Sequence, residues 1–369
     1  MNAIKSLTGL VDSLLSMNAD ILEVLMHVTL HKSLNITPVT KTLKIITPSK
    51  AIPWALLLLI TLLALTEKAS ALEAVWPSKT TYQYANVDGK RIFYREAGKQ
   101  HKQTIVLLHG YPSSSHSYRE LIPLLSGRYH VIAPDYLGSG YSDRPDPTKQ
   151  KYTFNLLAKY VEGLLDTLEV KSYSLYIQDF GAPVGFTMLL NNPDKLEALI
   201  VQNGNAYLAG LTPPRQAFFK NAHQDKSTEQ LNKLYSFTAR QAIVNKQYLR
   251  DVPNTPEMMN PDSWTHDLHF LETVNDRLIQ VQLLQDYYNN LLNYPKWQAY
   301  LRKYQPPTLI VWGKNDPAFI AAGAEAYLKD VPNAELHLLD SGHFTVEEKP
   351  VAVAKYIVNF MNKLSKSNE

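Results

Sequence analysis

The 369-residue sequence contains no cysteine. Disulfide bridges, cysteine nucleophiles, zinc–thiolate sites and iron–sulfur clusters are therefore excluded. The 37 basic and 34 acidic residues leave a formal charge of only +3, which gives no electrostatic reason to expect a nucleic-acid partner. Hydrophobic residues make up 45% of the sequence, and this fraction excludes a disordered chain.

Two other motifs are missing, and their absence narrows the chemistry. No G-x-S-x-G occurs in the sequence, which argues against a serine esterase. The glycine-rich segment at 138–140 lacks the spacing of a dinucleotide-binding loop. His266 and His269 have a spacing that suits a metal on a helix face, but no glutamate base or third ligand accompanies them. We therefore predict neither a cofactor nor a metal.

The first 71 residues are predicted to be an N-terminal extension followed by a signal peptide or anchor. Residues 51–65 are uncharged and apolar, Lys50 precedes them, and the small-residue site Ala69-Ser70-Ala71 follows. This pattern is typical of a secretory signal peptide. It predicts cleavage after Ala71 and an exported protein, periplasmic or secreted. The alternative is an uncleaved membrane anchor over residues 51–65, although this run is shorter than the ~20 residues of a spanning helix.

Residues 1–50 carry an apolar stripe with helical spacing. This stripe is typical of a helix that lies on a membrane surface or against a partner. The other interpretation is an upstream extension from a wrongly chosen start codon. We favour the second interpretation, because a signal peptide normally begins a chain.

After residue 71, short apolar runs alternate with helical stretches. The central runs are continuous β-branched and leucine segments, typical of strands buried on both faces of a parallel sheet. The alternation predicts an α/β fold with a mostly parallel, eight-stranded sheet and helices on both faces. The predicted strands span residues 82–87, 91–95, 104–108, 131–133, 174–177, 198–201, 308–311 and 335–339.

Residues 206–300 interrupt this rhythm. They contain no convincing strand, and helices are predicted over residues 216–222, 227–246, 266–277 and 279–292. The sequence therefore predicts a helical insertion over residues 206–300. It lies between two halves of one core, which are formed by residues 72–205 and 301–369.

Two acidic residues and a histidine follow strands of the predicted sheet. Function gathers at this edge of an open parallel sheet. Asp179 lies in the segment 178–181, which has the form of a nucleophile elbow, a sharp strand-to-helix turn followed by small residues. A carboxylate nucleophile attacks saturated carbon and forms a covalent ester. Asp179 is therefore the predicted nucleophile.

Hydrolysis of such an ester requires a base and an oxyanion hole. His343 follows the last predicted strand and suits the base, and Asp316 suits the acid that orients it. The backbone N–H groups of Tyr111 and Phe180 are the predicted oxyanion donors.

Five motifs in this order resemble the α/β-hydrolase superfamily, in its epoxide hydrolase and haloalkane dehalogenase branch. They are HGYP at 109–112, APDYLGSGYSDRP at 133–145, QDFG at 178–181, WGKND at 312–316 and GHF at 342–344. The resemblance covers about residues 80–365 and makes the helical insertion a cap domain. It implies the same roles for Asp179, His343 and Asp316, no cofactor, and a cis peptide before Pro112.

The resemblance also implies which groups would stabilise the leaving halide or the epoxide oxygen. Dehalogenases of this branch usually hold the halide with side-chain N–H donors, at positions that here are Phe180 and Tyr111. Neither of these side chains has an N–H group. Trp297 or Trp264 of the insertion would have to serve instead.

Epoxide hydrolases of this branch polarise the ring oxygen with two cap tyrosines. The segment 285–290 is similar to the one that bears the second of them, and Tyr287 is a better match than its neighbour Tyr288. The first tyrosine has no clear match, and Tyr207 or Tyr235 is the candidate. His109, beside the oxyanion loop, is a further candidate for contact with substrate, although a hydrogen-bonded structural role is favoured.

The sequence therefore predicts a hydrolase that opens epoxides to diols. Hydrolytic carbon–halogen cleavage is the second expectation, and non-catalytic binding of a small ligand on the same fold is the third. The expected partners are an apolar electrophilic small molecule and water. No nucleic acid is expected, and membrane contact is expected only through an uncleaved N-terminal segment.

Overall fold

Eight strands within the described part of the chain form one sheet. The structure is a computed structural model that describes residues 77–252 and 255–367. The strands are β1 (Thr81–Val87), β2 (Lys90–Ala97), β3 (Thr104–Leu108), β4 (His130–Pro134), β5 (Tyr173–Gln178), β6 (Leu196–Gln202), β7 (Thr308–Gly313) and β8 (Glu335–Leu339).

The sheet has the order β1-β2-β4-β3-β5-β6-β7-β8. β1 pairs with β2, and β2 with β4, in antiparallel fashion, and every other pair is parallel. The predicted mostly parallel, eight-stranded sheet is therefore confirmed. β5 lies between β3 and β6, so the loops that follow these three strands emerge side by side.

Side chains of the central strands alternate between two apolar layers. Ile105 and Leu107 of β3 face one layer, and Val106 and Leu108 face the other. All four are fully buried. This burial on both faces explains the uninterrupted apolar runs in the sequence.

Helices cover both faces, as predicted. One layer receives α2 (Phe154–Thr167) and α3 (Gly181–Asn191). The other receives α1 (Leu121–Leu125) and α11 (Pro350–Ser367). The short helices α9 (Ala322–Tyr327) and α10 (Thr345–Glu348) complete the core.

The chain between β6 and β7 contains helices and, in its described part, no strand. Its α-helices are α4 (Pro213–Gln224), α5 (Thr228–Phe237), α6 (Arg240–Ile243), α7 (Pro261–His269) and α8 (Val274–Tyr304). A π-helical turn, Val244–Tyr248, follows α6. Helix α8 continues through position 300, where the predicted insertion ends, and the boundaries of that insertion stay a prediction.

The helix predicted over residues 266–277 is wrong. Helix α7 ends at His269, and α8 begins at Val274. Thr273 and Asp276 form a capping box in which each side chain accepts a hydrogen bond from the other residue's backbone N–H. This reciprocal cap starts a new helix where apolar periodicity alone suggested continuity. The predicted helix 227–246 is likewise divided, between α5 and α6.

The predicted extension and signal peptide or anchor, residues 1–71, lie outside the described residues. Within 77–252 and 255–367, no helix combines the length and apolar character needed to cross a membrane.

Helix α8 packs against the core through an aromatic stack. The ring of Trp297 lies parallel to that of Phe186 on α3, with the ring centroids 4.9 Å apart. Tyr294 packs against the same indole. Trp297 is only 2% exposed, so this contact excludes water from the junction between α8 and the helix that follows β5.

Replacing Trp297 by alanine should lower the free energy of unfolding by about 3–5 kcal/mol, because a large buried ring leaves a cavity. Trp297→Phe keeps a ring against Phe186 and should cost clearly less. Urea denaturation of the two variants measures the difference. Equal losses would show that the stack does not hold α8.

Candidate active site

Asp179 lies at the sharp turn between β5 and α3. Its φ is 49°, in the left-handed region that aspartate tolerates better than most residues. Two glycines allow the close packing around it. A Cβ on Gly181 would lie 2.2 Å from the carbonyl oxygen of Leu108, and one on Gly110 would lie 2.4 Å from the Cβ of Asp179. The turn therefore depends on small residues on both sides.

The carboxylate of Asp179 receives backbone N–H groups. The Tyr111 N–H donates to its Oδ1 at 2.7 Å, and the peptide between Tyr111 and Pro112 is cis, as predicted. Burial raises the pKa of Asp179, while His343 and the N–H groups of Tyr111 and Phe180 counteract that rise. The two predicted oxyanion donors thus face the predicted nucleophile.

His343 lies between two carboxylates. Its Nδ1 is 2.6 Å from Oδ2 of Asp316, and its Nε2 is 3.6 Å from Oδ2 of Asp179. An ionised carboxylate can only accept, so Nδ1–H donates to Asp316 and Nε2 is free to act as a base toward the Asp179 side. Burial by itself lowers the pKa of His343, but Asp316 and Asp179 raise it above its usual value.

Asp316 is completely enclosed by donors. Its Oδ1 accepts the backbone N–H groups of Ala318 and Phe319 at 2.7 and 3.0 Å. Its Oδ2 accepts the side-chain amide of Asn203 at 2.9 Å. Burial alone raises the pKa of Asp316, yet His343, Arg250 and the backbone N–H of Phe319 hold it below its usual value. The acid therefore stays charged where it orients the base.

Asn203 contributes to the site through both ends of its side-chain amide. Its Oδ1 accepts the Gly313 N–H at 2.9 Å, and its amide nitrogen positions Asp316. The signal that could have found it is its place directly after β6, beside the elbow.

Gln178 and a pair from the insertion hold the histidine. The side-chain amide of Gln178 lies 3.3 Å from Nε2 of His343. Asp251 accepts the backbone N–H of His343 at 2.9 Å. Asp251 is itself ion-paired with Arg250, which also lies 3.5 Å from Oδ1 of Asp316. No motif marks Arg250 or Asp251, because they lie in an irregular segment more than sixty residues before Asp316.

Aromatic side chains pack around Phe180, the residue that follows Asp179. The ring of Tyr287 is 5.7 Å from Phe180 and stacks on Phe219 at 4.0 Å. Phe154 and Phe319 lie 5.7 and 6.4 Å from the same tyrosine ring. The side chains packed around the Tyr287 ring are therefore apolar aromatic groups.

Tyr294 is a second hydroxyl that sequence reasoning missed. It lies two turns after Tyr287 on α8, and both side chains are buried. Neither hydroxyl forms a hydrogen bond of normal geometry with any described residue. The two groups are nonetheless close enough to interact with each other and with the charge of Asp179. The seven-residue spacing, which places both on one helix face, is the signal that could have found it.

The structure places the other predicted contact residues away from the nucleophile. The Tyr207 hydroxyl donates to Asp330 at 2.7 Å. The Tyr288 ring lies beside His223. The Trp297 ring is engaged with Phe186, as described above.

His109 is adjacent to the oxyanion loop but has internal partners. Its Nδ1 lies 3.1 Å from the Gly110 carbonyl, and its ring stacks on Tyr136 at 4.0 Å. Burial lowers its pKa to about 3, so the ring stays neutral. These contacts match the structural role that was favoured for His109.

This arrangement suits nucleophilic attack by a carboxylate followed by hydrolysis. It joins a buried carboxylate, two oxyanion donors and a base that an ionised acid orients. Within the described segments, no group of three or more His, Asp or Glu side chains could hold a metal.

Comparison with known proteins gives matches over most of the chain. A family model described as the α/β-hydrolase fold matches residues 103–350. An uncharacterized hydrolase of Saccharomyces cerevisiae is 40% identical over 276 residues, which are 74% of this chain and 93% of that protein.

Two further proteins with named activities are similar to this chain. A haloalkane dehalogenase of Psychrobacter cryohalolentis is 28% identical over 280 residues, covering 74% of this chain and 88% of its own length. The solved structure of the epoxide hydrolase CorEH aligns with a TM-score of 0.61 and 22% identity. It covers 78% of this chain and 100% of that one, and at this identity it shows a shared fold.

Replacing Asp316 by asparagine should lower the pKa of His343, because the neutral amide no longer stabilises the imidazolium. NMR titration of the His343 ring in both proteins measures this shift without a substrate. In the unsubstituted protein the ring should remain protonated to a pH above its usual 6.5. An unchanged titration in the variant would show that Asp316 does not act on the base.

Proposed function

Since the chain belongs to the α/β-hydrolase fold family and is a hydrolase, we propose that it opens epoxides to diols through a covalent ester of Asp179. The support comes from the site, because the similar proteins include both an epoxide hydrolase and a haloalkane dehalogenase. The two activities differ in how the departing atom is stabilised, so the donors around Asp179 favour one of them.

The observation that carries the proposal is the hydroxyl of Tyr287. It is buried, it has no hydrogen-bond partner of normal geometry among the described residues, and its ring contacts Phe180 directly after the nucleophile. A buried hydroxyl without a partner costs free energy. Such a group is suited to a partner that substrate brings, and an epoxide oxygen accepts a hydrogen bond.

In the first step, a carboxylate oxygen of Asp179 attacks one carbon of the epoxide. A carbon–oxygen bond to Asp179 forms as the ring carbon–oxygen bond breaks. The ring oxygen takes the proton of the Tyr287 hydroxyl, which leaves a tyrosinate until the second step. The product is a hydroxyalkyl ester of Asp179.

In the second step, Nε2 of His343 takes a proton from water, and the hydroxide adds to the ester carbonyl. The N–H groups of Tyr111 and Phe180 stabilise the oxyanion that forms. Collapse of this intermediate releases the diol and the carboxylate of Asp179. The proton on His343 returns to the tyrosinate, so the net reaction consumes one epoxide and one water.

The two side chains that flank the carboxylate of Asp179 offer no N–H donor to a halide. The side chains of Phe180 and Tyr111 carry no N–H group. The indole N–H of Trp312 donates to the Phe319 carbonyl at 2.9 Å, and Trp297 is packed against Phe186. Epoxide opening uses the hydroxyls that the site does provide.

Tyr287→Phe should slow ester formation about 100- to 10,000-fold, which is the usual contribution of a positioned acid. The same change should leave the melting temperature equal or higher, because it removes a buried hydroxyl without a hydrogen bond. Single-turnover kinetics and calorimetry measure the two effects.

Tyr300→Phe is the matched control on the same helix. The Tyr300 hydroxyl lies 3.4 Å from the Pro193 carbonyl, and its loss should not change the rate. If Tyr287→Phe and Tyr300→Phe behave alike, Tyr287 is not the acid.

His343→Gln should trap the ester, because attack by Asp179 does not need the base whereas hydrolysis does. Intact-protein mass spectrometry after incubation with epoxides should show an adduct of the full epoxide mass on Asp179. An adduct from haloalkanes that lacks the halogen, with none from epoxides, would replace the proposal by dehalogenation. Asp179→Asn is the control and should give no adduct.

A further inference from the structure

Arg215 is a cation that interacts with the charge of Asp179 but has no hydrogen-bonded anionic partner among the described residues. It stands in the first turn of α4 and is partly buried. Its guanidinium forms no hydrogen bond or ion pair with any residue in the described part of the chain. Its N–H donors are therefore available to a ligand.

A series of aromatic contacts connects Arg215 to the nucleophile turn. Its guanidinium lies 5.6 Å from the ring of Phe218 and 6.0 Å from that of Phe219. Phe219 stacks on Tyr287, and Tyr287 contacts Phe180 beside Asp179. These successive contacts run from the guanidinium to the residue next to Asp179.

The electrostatic environment agrees with this placement. Arg215 interacts with the charges of Asp179 and Asp316, and with Arg250 and Tyr287. Burial lowers its pKa, and the neighbouring Arg250 lowers it further. The guanidinium nonetheless stays charged at physiological pH, because arginine does not lose its proton there.

The other charges of the site are already matched. Arg250 is ion-paired with Asp251 through two nitrogens. Asp316 is held by His343 and by three further donors. Arg215 is thus the cation of this group that has no hydrogen-bonded counter-charge.

Packing on phenylalanine does not use the hydrogen-bonding edge of Arg215. The contacts with Phe218 and Phe219 are cation–π contacts, and a phenylalanine ring supplies no ordinary hydrogen-bond acceptor. The N–H donors of Arg215 form a planar fork that matches the two oxygens of a carboxylate. The rings therefore hold the guanidinium without pairing its donors.

We propose that Arg215 binds a carboxylate of the substrate, so that the site acts on epoxides that carry an acid group. The inference rests on the proposed function for the epoxide. It adds the anionic group and the residue that recognises it.

Binding and turnover are measured separately. Isothermal titration compares hexanoate with hexanamide, which are unreactive and differ in charge. Kinetics compare terminal epoxy acids of increasing chain length, each beside its primary amide. Both experiments use the unsubstituted protein, Arg215→Gln, Arg215→Lys and the control Lys220→Gln. Lys220 is an exposed residue on the same helix, so its replacement removes an equal charge elsewhere.

The unsubstituted protein should bind hexanoate more tightly than hexanamide and should prefer one of the epoxy acids to its amide. Arg215→Gln should weaken hexanoate binding, and lower kcat/KM for that acid, roughly 10- to 100-fold. Its kcat/KM for the amide should not change. The hexanoate affinity of Arg215→Lys, and its kcat/KM for that acid, should lie between those of the unsubstituted protein and Arg215→Gln. Lysine keeps the positive charge but lacks the planar pair of N–H donors. Lys220→Gln should match the unsubstituted protein.

The results separate this inference from the proposed function. If the epoxide rings of the epoxy amides are opened and Arg215→Gln does not change hexanoate binding, the inference is overturned and epoxide hydrolysis stands. If no epoxide reacts but hexanoate binding depends on Arg215, the anion site stands and the proposed reaction fails. Bromide that binds through Arg215 more tightly than hexanoate would overturn the inference in favour of a leaving-halide site.

Discussion

The strained turn at Asp179 is the constraint on which the site depends. A non-glycine residue with positive φ costs about 1–3 kcal/mol and persists only where its surroundings hold it. Here the backbone N–H of Asp179 donates to the Asn203 carbonyl at 3.2 Å, and Gly110 and Gly181 permit the tight packing on either side. Because β5 lies between β3 and β6, this one turn brings the oxyanion loop and Asn203 to the nucleophile.

The helical region between β6 and β7 contributes charged side chains to the site as well as excluding water from it. Asp251 holds the backbone of the His343 loop, and Arg250 joins Asp251 to Asp316. The base is thereby positioned from two sides, by the sheet and by the insertion. Arg215 adds a cation from α4. A helical region that only excluded water would need none of these groups, so its role extends to the electrostatics of the reaction.

Much of this organisation could be predicted because it is local. All eight strands were predicted, and burial on both faces makes the central ones continuous apolar runs. The structure also brings together Asp179, Asp316 and His343, which each follow a strand of a parallel sheet. The break between α7 and α8 could not be seen from periodicity, because the capping box of Thr273 and Asp276 overrides an apolar pattern that runs across it.

The sequence by itself determined the order of the strands and the strand-to-helix elbow that carries Asp179, because residue type and short spacing decide these. Only the tertiary structure decided which distant side chains reach Asp179. It placed Tyr294 beside Tyr287 and turned Tyr207 toward Asp330. It also placed Arg215 where it interacts with the charges of Asp179 and Asp316 without a hydrogen-bonded counter-charge among the described residues. The physical reason is that helix packing, set by contacts such as Trp297 on Phe186, fixes where each side chain of a helix points.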